Sequence, residues 1–88
     1  MKDTDEFVGR KLQMLVLQRC DARRHMARFY VLAVEPTLFG DTALVREWGR
    51  IGSKGRRRLD LHCDPDAAAE ALDIWLARKK RRGYQVTA

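Results

Sequence analysis

Arg46, Trp48 and Arg50 recur at every second position of a run, Thr42 to Ile51, that reads as a β-strand. Alternation by two sends all three side chains to one face. An indole between two guanidiniums suits a sugar–phosphate chain. The ring is a stacking plate worth ~1–3 kcal/mol per base, and the arginines are forked donors that match phosphate oxygens. Gly49 and Gly52 would let a ligand approach the backbone closely, although a bulge and a turn use glycine for the same conformational freedom. The competing reading of Trp48 is a packing residue in the core or under the hairpin.

More cations lie next to this run. Lys54, Arg56, Arg57 and Arg58 follow the glycines. Arg56 and Arg58 share a face and extend the phosphate track, whereas alternation turns Arg57 inward. A solvated hairpin tip is the plainer reading of the same residues. The densest run is Arg78 to Arg82, with Lys79 its best candidate contact. A helix C-terminus favours cations by itself, so this run also reads as a solvated helix end.

No other constellation carries chemistry. Cys20 and His25 are five apart with no second close pair, and His62 and Cys63 are adjacent on a strand, facing opposite ways. That is not a zinc spacing, and Cys63 reads as a small core residue. Ser53 is the only serine and sits in a loop, Asp60 and His62 share a face without a nucleophile, and no glycine-rich phosphate cradle occurs. The expectation is a non-enzymatic module without metal or cofactor.

The elements that must position these residues follow from the pattern. Leu12 to Gln18 reads as a first strand, with Leu12, Met14 and Val16 facing one way and Leu15 and Leu17 the other. Cys20 to Met26 reads as a polar connection. Arg28 to Val34 is a second strand, rich in aromatic and β-branched residues. Phe39-Gly40-Asp41 is a turn and Thr42 to Ile51 the third strand. Gly52-Ser53-Lys54-Gly55 is a hairpin loop. Arg56 to Cys63 is the fourth strand, with Leu59, Leu61 and Cys63 expected on the inner face. Asp64 and Pro65 start a helix that runs to about Arg82. Its apolar stripe is Ala68, Ala71, Leu72, Trp75 and Leu76, which makes Trp75 a core residue. Gly83 stops it, and Tyr84 to Thr87 can add a closing strand. The fold class is α+β: an antiparallel sheet of four to five strands with one amphipathic helix packed on one face.

With 88 residues the chain is one domain with a thin core. Residues 1–10 read as a polar, flexible lead-in and 11–88 as the domain. The net charge is +6, and residues 45–88 carry eleven basic against six acidic side chains. Such an imbalance suits a face that meets a polyanion, and equally suits solubility. No apolar run is long enough for a membrane, and no secretory leader opens the chain. The expected setting is the cytoplasm, with reduced thiols.

Phe29-Tyr30-Val31-Leu32, Trp48-Gly49-Arg50-Ile51-Gly52, Gly55, Ala68, and Lys79 before Gly83-Tyr84, in this order of strands, hairpin and helix, resemble the WGR domain family. The resemblance covers roughly residues 12–86. It is a family found in poly(ADP-ribose) polymerases and in short bacterial proteins. It implies an antiparallel sheet with a packed helix and a role in clamping DNA ends. It also implies that Trp48 packs on a terminal nucleotide, that Arg50 links DNA to neighbouring domains, and that Lys79 matches the family lysine. These 88 residues hold no catalytic or zinc-finger module, so a DNA or protein contact is the role left for Arg50. The expected function is binding of DNA ends, nicks or junctions through sugar and phosphate, with Trp48, Gly49, Arg50, Arg46, Lys54, Arg56, Arg58 and Lys79 as contacts. The alternative is a protein-interaction module that docks an acidic partner on the same face.

Overall fold

The computed structural model describes residues 13–88; the lead-in expected over residues 1–10 lies outside them, as does Leu12. Four long strands follow one another: β1 (Gln13–Asp21), β2 (Met26–Pro36), β3 (Thr42–Arg50) and β4 (Arg56–His62). The helix α1 (Pro65–Arg81) and a two-residue strand β5 (Gln85–Val86) complete the order. All pairings are antiparallel and the sheet order is β4-β3-β2-β1-β5. The α+β architecture agrees with the expectation from sequence.

The first strand runs further than its apolar alternation suggests, through Cys20 to Asp21. The reversal is a 3-10 turn over Ala22–Arg24, closed at both ends. The Arg23 amide donates to Asp21 Oδ1 at 3.1 Å, and His25 adopts the left-handed conformation with φ 51°. The pairing of β1 with β2 is unbroken from Gln13–Val34 to Asp21–Met26. Only residues 22–25 are therefore needed for the turn, and the polar stretch from Gln18 to Asp21 is strand.

The helix covers one face. Leu17, Tyr30, Leu32, Val34 and Leu44 from the sheet meet Ala68 and Leu72 from α1, and Tyr84 closes the cluster from the C-terminal side. Burying a leucine fully is worth ~1.5–3 kcal/mol, and Leu17, Leu32, Leu44 and Leu72 are all fully buried. Asp64 caps α1, its Oδ1 accepting from the Ala67 amide at 2.8 Å, with Pro65 in the first turn. At the other end Tyr84 N donates to Lys79 O and Gly83 N to Lys80 O, both at 3.0 Å. Gly83 has φ 98°. This left-handed stop turns the chain back so that Tyr84 enters the core.

The face expected for β4 is reversed. Leu59 and Leu61 are 50% and 62% exposed, and Cys63 is exposed as well. They lie on the open side of the sheet, Leu59 and Leu61 in register with Val45 and Ala43. Asp60 and His62 are the residues turned toward the helix, in register with Leu44 and Thr42. β4 is an edge strand, and its helix side supplies a carboxylate to a buried arginine of β3 instead of apolar surface to the core. Arg57 accordingly points to the open side, 3.6 Å from Glu47.

The β3–β4 hairpin depends on backbone crowding. A Cβ on Gly49 would come within 2.7 Å of Gly55 Cα, and one on Gly55, whose φ is +74°, would overlap the Trp48 carbonyl and the Phe29 ring. Gly55→Ala is expected to lower unfolding free energy by about 3 kcal/mol, adding left-handed strain to overlap. Gly40→Ala, with open space around it at φ +91°, should cost only about 1 kcal/mol. Urea denaturation of both variants measures the difference.

Candidate nucleic-acid interface

The site is built on Tyr30. In register across the sheet, Leu17, Tyr30, Trp48 and Arg56 form one row on the helix side. Tyr30 is buried at the centre. Its ring stacks against Trp48 at 5.7 Å between centroids and 20° between planes, and against Trp75 of α1 at 6.3 Å and 22°. Tyr84 meets it edge-on at 6.1 Å. Trp48 is half-buried, neither the open plate nor the core residue that its sequence allows. One side is fixed by Tyr30, and the residue lines a concavity of about 280 Å³. Trp75 is likewise half-buried: it packs against the core cluster, as its place in the helix stripe suggests, and also lines the same concavity.

Arg46 is a strut. It is only 8% exposed. Its Nε donates to Asp60 Oδ2 at 2.9 Å and its Nη1 to the Tyr30 hydroxyl at 3.2 Å. Its guanidinium carbon lies 4.2 Å from the Trp75 ring and 5.6 Å from that of Trp48. Burial opposes its charge, but the bonds to Tyr30 and Asp60 outweigh burial and leave its pKa raised. Two of its three nitrogens are thus committed to the protein, and the symmetric pair of phosphate-gripping arginines around Trp48 is not formed. Arg50 lies one row beyond Trp48 on the same side, exposed, in register with Arg28.

Lys79 lies 4.3 Å from the Tyr30 ring, with Tyr84 at 5.6 Å and Trp75 at 5.8 Å. Its pKa is lowered, first by burial and then by the positive charges of Arg82 and Arg46. The aromatic faces attract the ammonium and offset part of that loss. Among the described residues no carboxylate lines the concavity: its charged groups are Arg19, Arg28, Arg46, Lys79 and Arg82, around Tyr30, Trp48, Trp75 and Tyr84. An aromatic floor ringed by cations, of which Arg46 is paired with Asp60, has the chemistry to accept an anion that carries a flat ring or sugar.

The remaining candidates spread outward. Arg56 is exposed beside Trp48. Arg58 is also exposed but leans on Asp60 at 3.4 Å. Lys54 sits in the hairpin loop at the periphery. Gly49 serves the packing of that hairpin described above. Sequence reasoning missed Arg19 and Arg28, and from the Arg78 to Arg82 run it singled out Lys79 but not Arg82. They join the site through strand register and the left-handed turn at Gly83, where a Cβ would lie 3.4 Å from Arg19 Nε. Register is not written in any single strand. Only the parity of Arg28 with Tyr30 was available as a signal.

The WGR domain family matches residues 13–88, and the chain belongs to that family. The family is generally associated with nucleic-acid binding. The chain is also similar to Uncharacterized protein y4dW of Sinorhizobium fredii, at 40% identity over 86 residues. That match covers 97% of this chain and 41% of the relative, so the chain spans well under half the relative's length. No solved structure matches.

Removing the carboxylate under Arg46 tests the strut. Asp60→Ala leaves a buried guanidinium short of its counter-charge and is expected to cost about 3 kcal/mol in chemical denaturation. Arg58→Ala, at a mostly exposed side chain, is expected to cost less than about 0.5 kcal/mol.

Proposed function

We propose that this WGR domain binds DNA ends, nicks or junctions without catalysis. It would do so by placing a terminal nucleotide against Trp48 and its phosphates among Lys79, Arg28, Arg19 and Arg82. One observation carries the reading: the half-exposed indole opens into a concavity that, among the described residues, is lined by five cations and no carboxylate. A single part-exposed indole suits a strand terminus. A continuous single strand would call for successive aromatic plates along the sheet. Contacts of this kind read backbone and sugar, not base sequence. Arg56 continues the positive surface beside Trp48, Arg50 lies one row away outside this concavity, and Arg58 and Lys54 add attraction at the rim. The exposed thiols of Cys20 and Cys63 fit the reducing cytoplasm in which such a ligand is met. No helix among the described residues is long and apolar enough to cross a membrane.

A protein partner on the same face is the second reading. Tryptophan and arginine are typical interface anchors, and an acidic segment would satisfy the same cations. The bare stacking surface between those cations favours a nucleotide.

Fluorescence anisotropy with blunt, nicked and single-stranded oligonucleotides separates the two readings. The wild type should prefer blunt or nicked duplex. Trp48→Ala should lose that preference with a drop of about tenfold, one stacking contact. Arg56→Ala should weaken every substrate alike. Equal binding of all three oligonucleotides by wild type and Trp48→Ala would remove Trp48 from the site.

The lowered pKa of Lys79 adds a pH dependence. In the free domain Lys79 gives up its proton below the usual lysine value of 10.5. A bound phosphate restores the charged form, so binding takes up a proton. Affinity should be fully present below the depressed value and fall as pH rises through it. Lys79→Arg should flatten this profile while keeping affinity at neutral pH. A pH series of binding isotherms gives the slope.

A further inference from the structure

A second concavity, of about 220 Å³, lies beyond Trp48 between the β1–β2 turn and the start of the β3–β4 hairpin. Arg24, His25, Arg28 and Arg50 supply its polar side chains, with Met26 and Ile51 giving aliphatic wall. Arg28 lines both this concavity and the aromatic one. The strand register makes the arrangement costly. Arg19 stands opposite Arg28, and Arg28 opposite Arg50, so three arginines cross three adjacent strands in one row. Like charges directly opposite one another destabilise a sheet. Among the described residues, none of the three has a carboxylate within ion-pair distance. Arg24 has only a loose 3.7 Å contact with Asp21 and is 70% exposed.

The backbone around the row is fixed in advance. Ile51 N donates to Ala27 O at 3.0 Å, tying the hairpin to β2, and Ser53 N closes on Arg50 O at 3.0 Å. On the other side the left-handed His25 donates its amide to Ala22 O at 3.2 Å. A preformed cationic concavity with unrelieved repulsion gains most from an anion and loses little ordering entropy on binding one.

We propose that this concavity is a second phosphate subsite, in which Arg24, Arg28, Arg50 and His25 hold the phosphodiester backbone running back from the terminal nucleotide on Trp48. The proposal rests on the reading of Trp48 given above. The subsite has no aromatic plate. It takes backbone and leaves the bases paired and stacked on one another, so it serves nucleic acid of several residues and is idle for a mononucleotide.

The test compares wild type, Trp48→Ala and the double variant Arg24→Ala/Arg50→Ala, whose two arginines line only the second concavity. Anisotropy isotherms are collected at four salt concentrations with a labelled blunt duplex, with a labelled 5′-phosphorylated dinucleotide, and with a labelled polyglutamate peptide. On the duplex, the log–log salt slope of the double variant should fall by about 0.9 for each phosphate that the protein no longer neutralises, and affinity at low salt should drop at least tenfold. On the dinucleotide the double variant should match wild type. Its thermal midpoint should stay level or rise, because Arg50, one of the three like charges in the row, has been removed. Trp48→Ala should keep the wild-type slope. An unchanged duplex slope in the double variant, while Trp48→Ala weakens binding, overturns the subsite and leaves the Trp48 reading intact. Absence of duplex binding by wild type overturns both. Tighter binding of polyglutamate than of duplex overturns the assignment of the subsite to phosphate.

Discussion

The contact between Arg46 and Asp60 governs the rest of this small domain. A guanidinium sits near the helix–sheet core, 2.9 Å from a carboxylate on the neighbouring edge strand. It lies above Trp75 and beside Trp48 and donates to the hydroxyl of the most central tyrosine. A buried charge must keep every partner or lose several kcal/mol. The arginine therefore fixes which face of β4 meets the helix, holds Tyr30 and the two indoles in one arrangement, and keeps Trp48 from closing into the interior. Replacing such pairs with apolar groups is often neutral for stability, so the pair here makes most sense as a device for positioning aromatic rings.

The two sides of the sheet divide the work. On the helix side, apolar packing runs from Leu44 and Leu72 to Tyr30, then gives way to rings and then to the row of Arg19, Arg28 and Arg50. On the open side, the buried small residues Ala33, Ala43 and Val45 lie next to the exposed Leu59 and Leu61. The glycine-dependent crowding of the β3–β4 hairpin holds Trp48 and Arg50 at the border between core and cationic surface. The hairpin glycines act through packing, because the Cβ vector of Gly49 points toward Gly55 and not toward the concavity.

Much of this is readable in the sequence. The strands announce themselves through β-branched and aromatic runs, the helix through Asp64-Pro65 and its stripe, and its end through Gly83. The family motif marks Trp48 and Lys79, and the structure brings these two to one concavity. What failed was the side of β4. Leu59 and Leu61 alternate with polar residues, and an inner apolar face is the usual meaning of that pattern. On an edge strand the rule gave way to the demand of Arg46 for a carboxylate, a demand made by a different strand. Arg46 itself reads in sequence as a surface cation, because alternation gives its direction but not the depth of the core at that row. Arg19 and Arg28 were invisible as a pair for the same reason: cross-strand register comes from the assembled sheet.

The proposed function makes Trp48 the ring that receives the ligand, with Arg46 remaining bound to Asp60. Nuclear magnetic resonance of the two indole N–H groups and the arginine Nε–H groups, followed through titration with a blunt duplex, tests this most directly. A large saturable shift of the Trp48 indole resonance is expected, accompanied by Arg28 and Arg50, with Arg46 Nε–H nearly unmoved. Shifts gathered on the open side around Leu59 and Leu61, with the Trp48 indole unchanged at saturation, would refute that assignment.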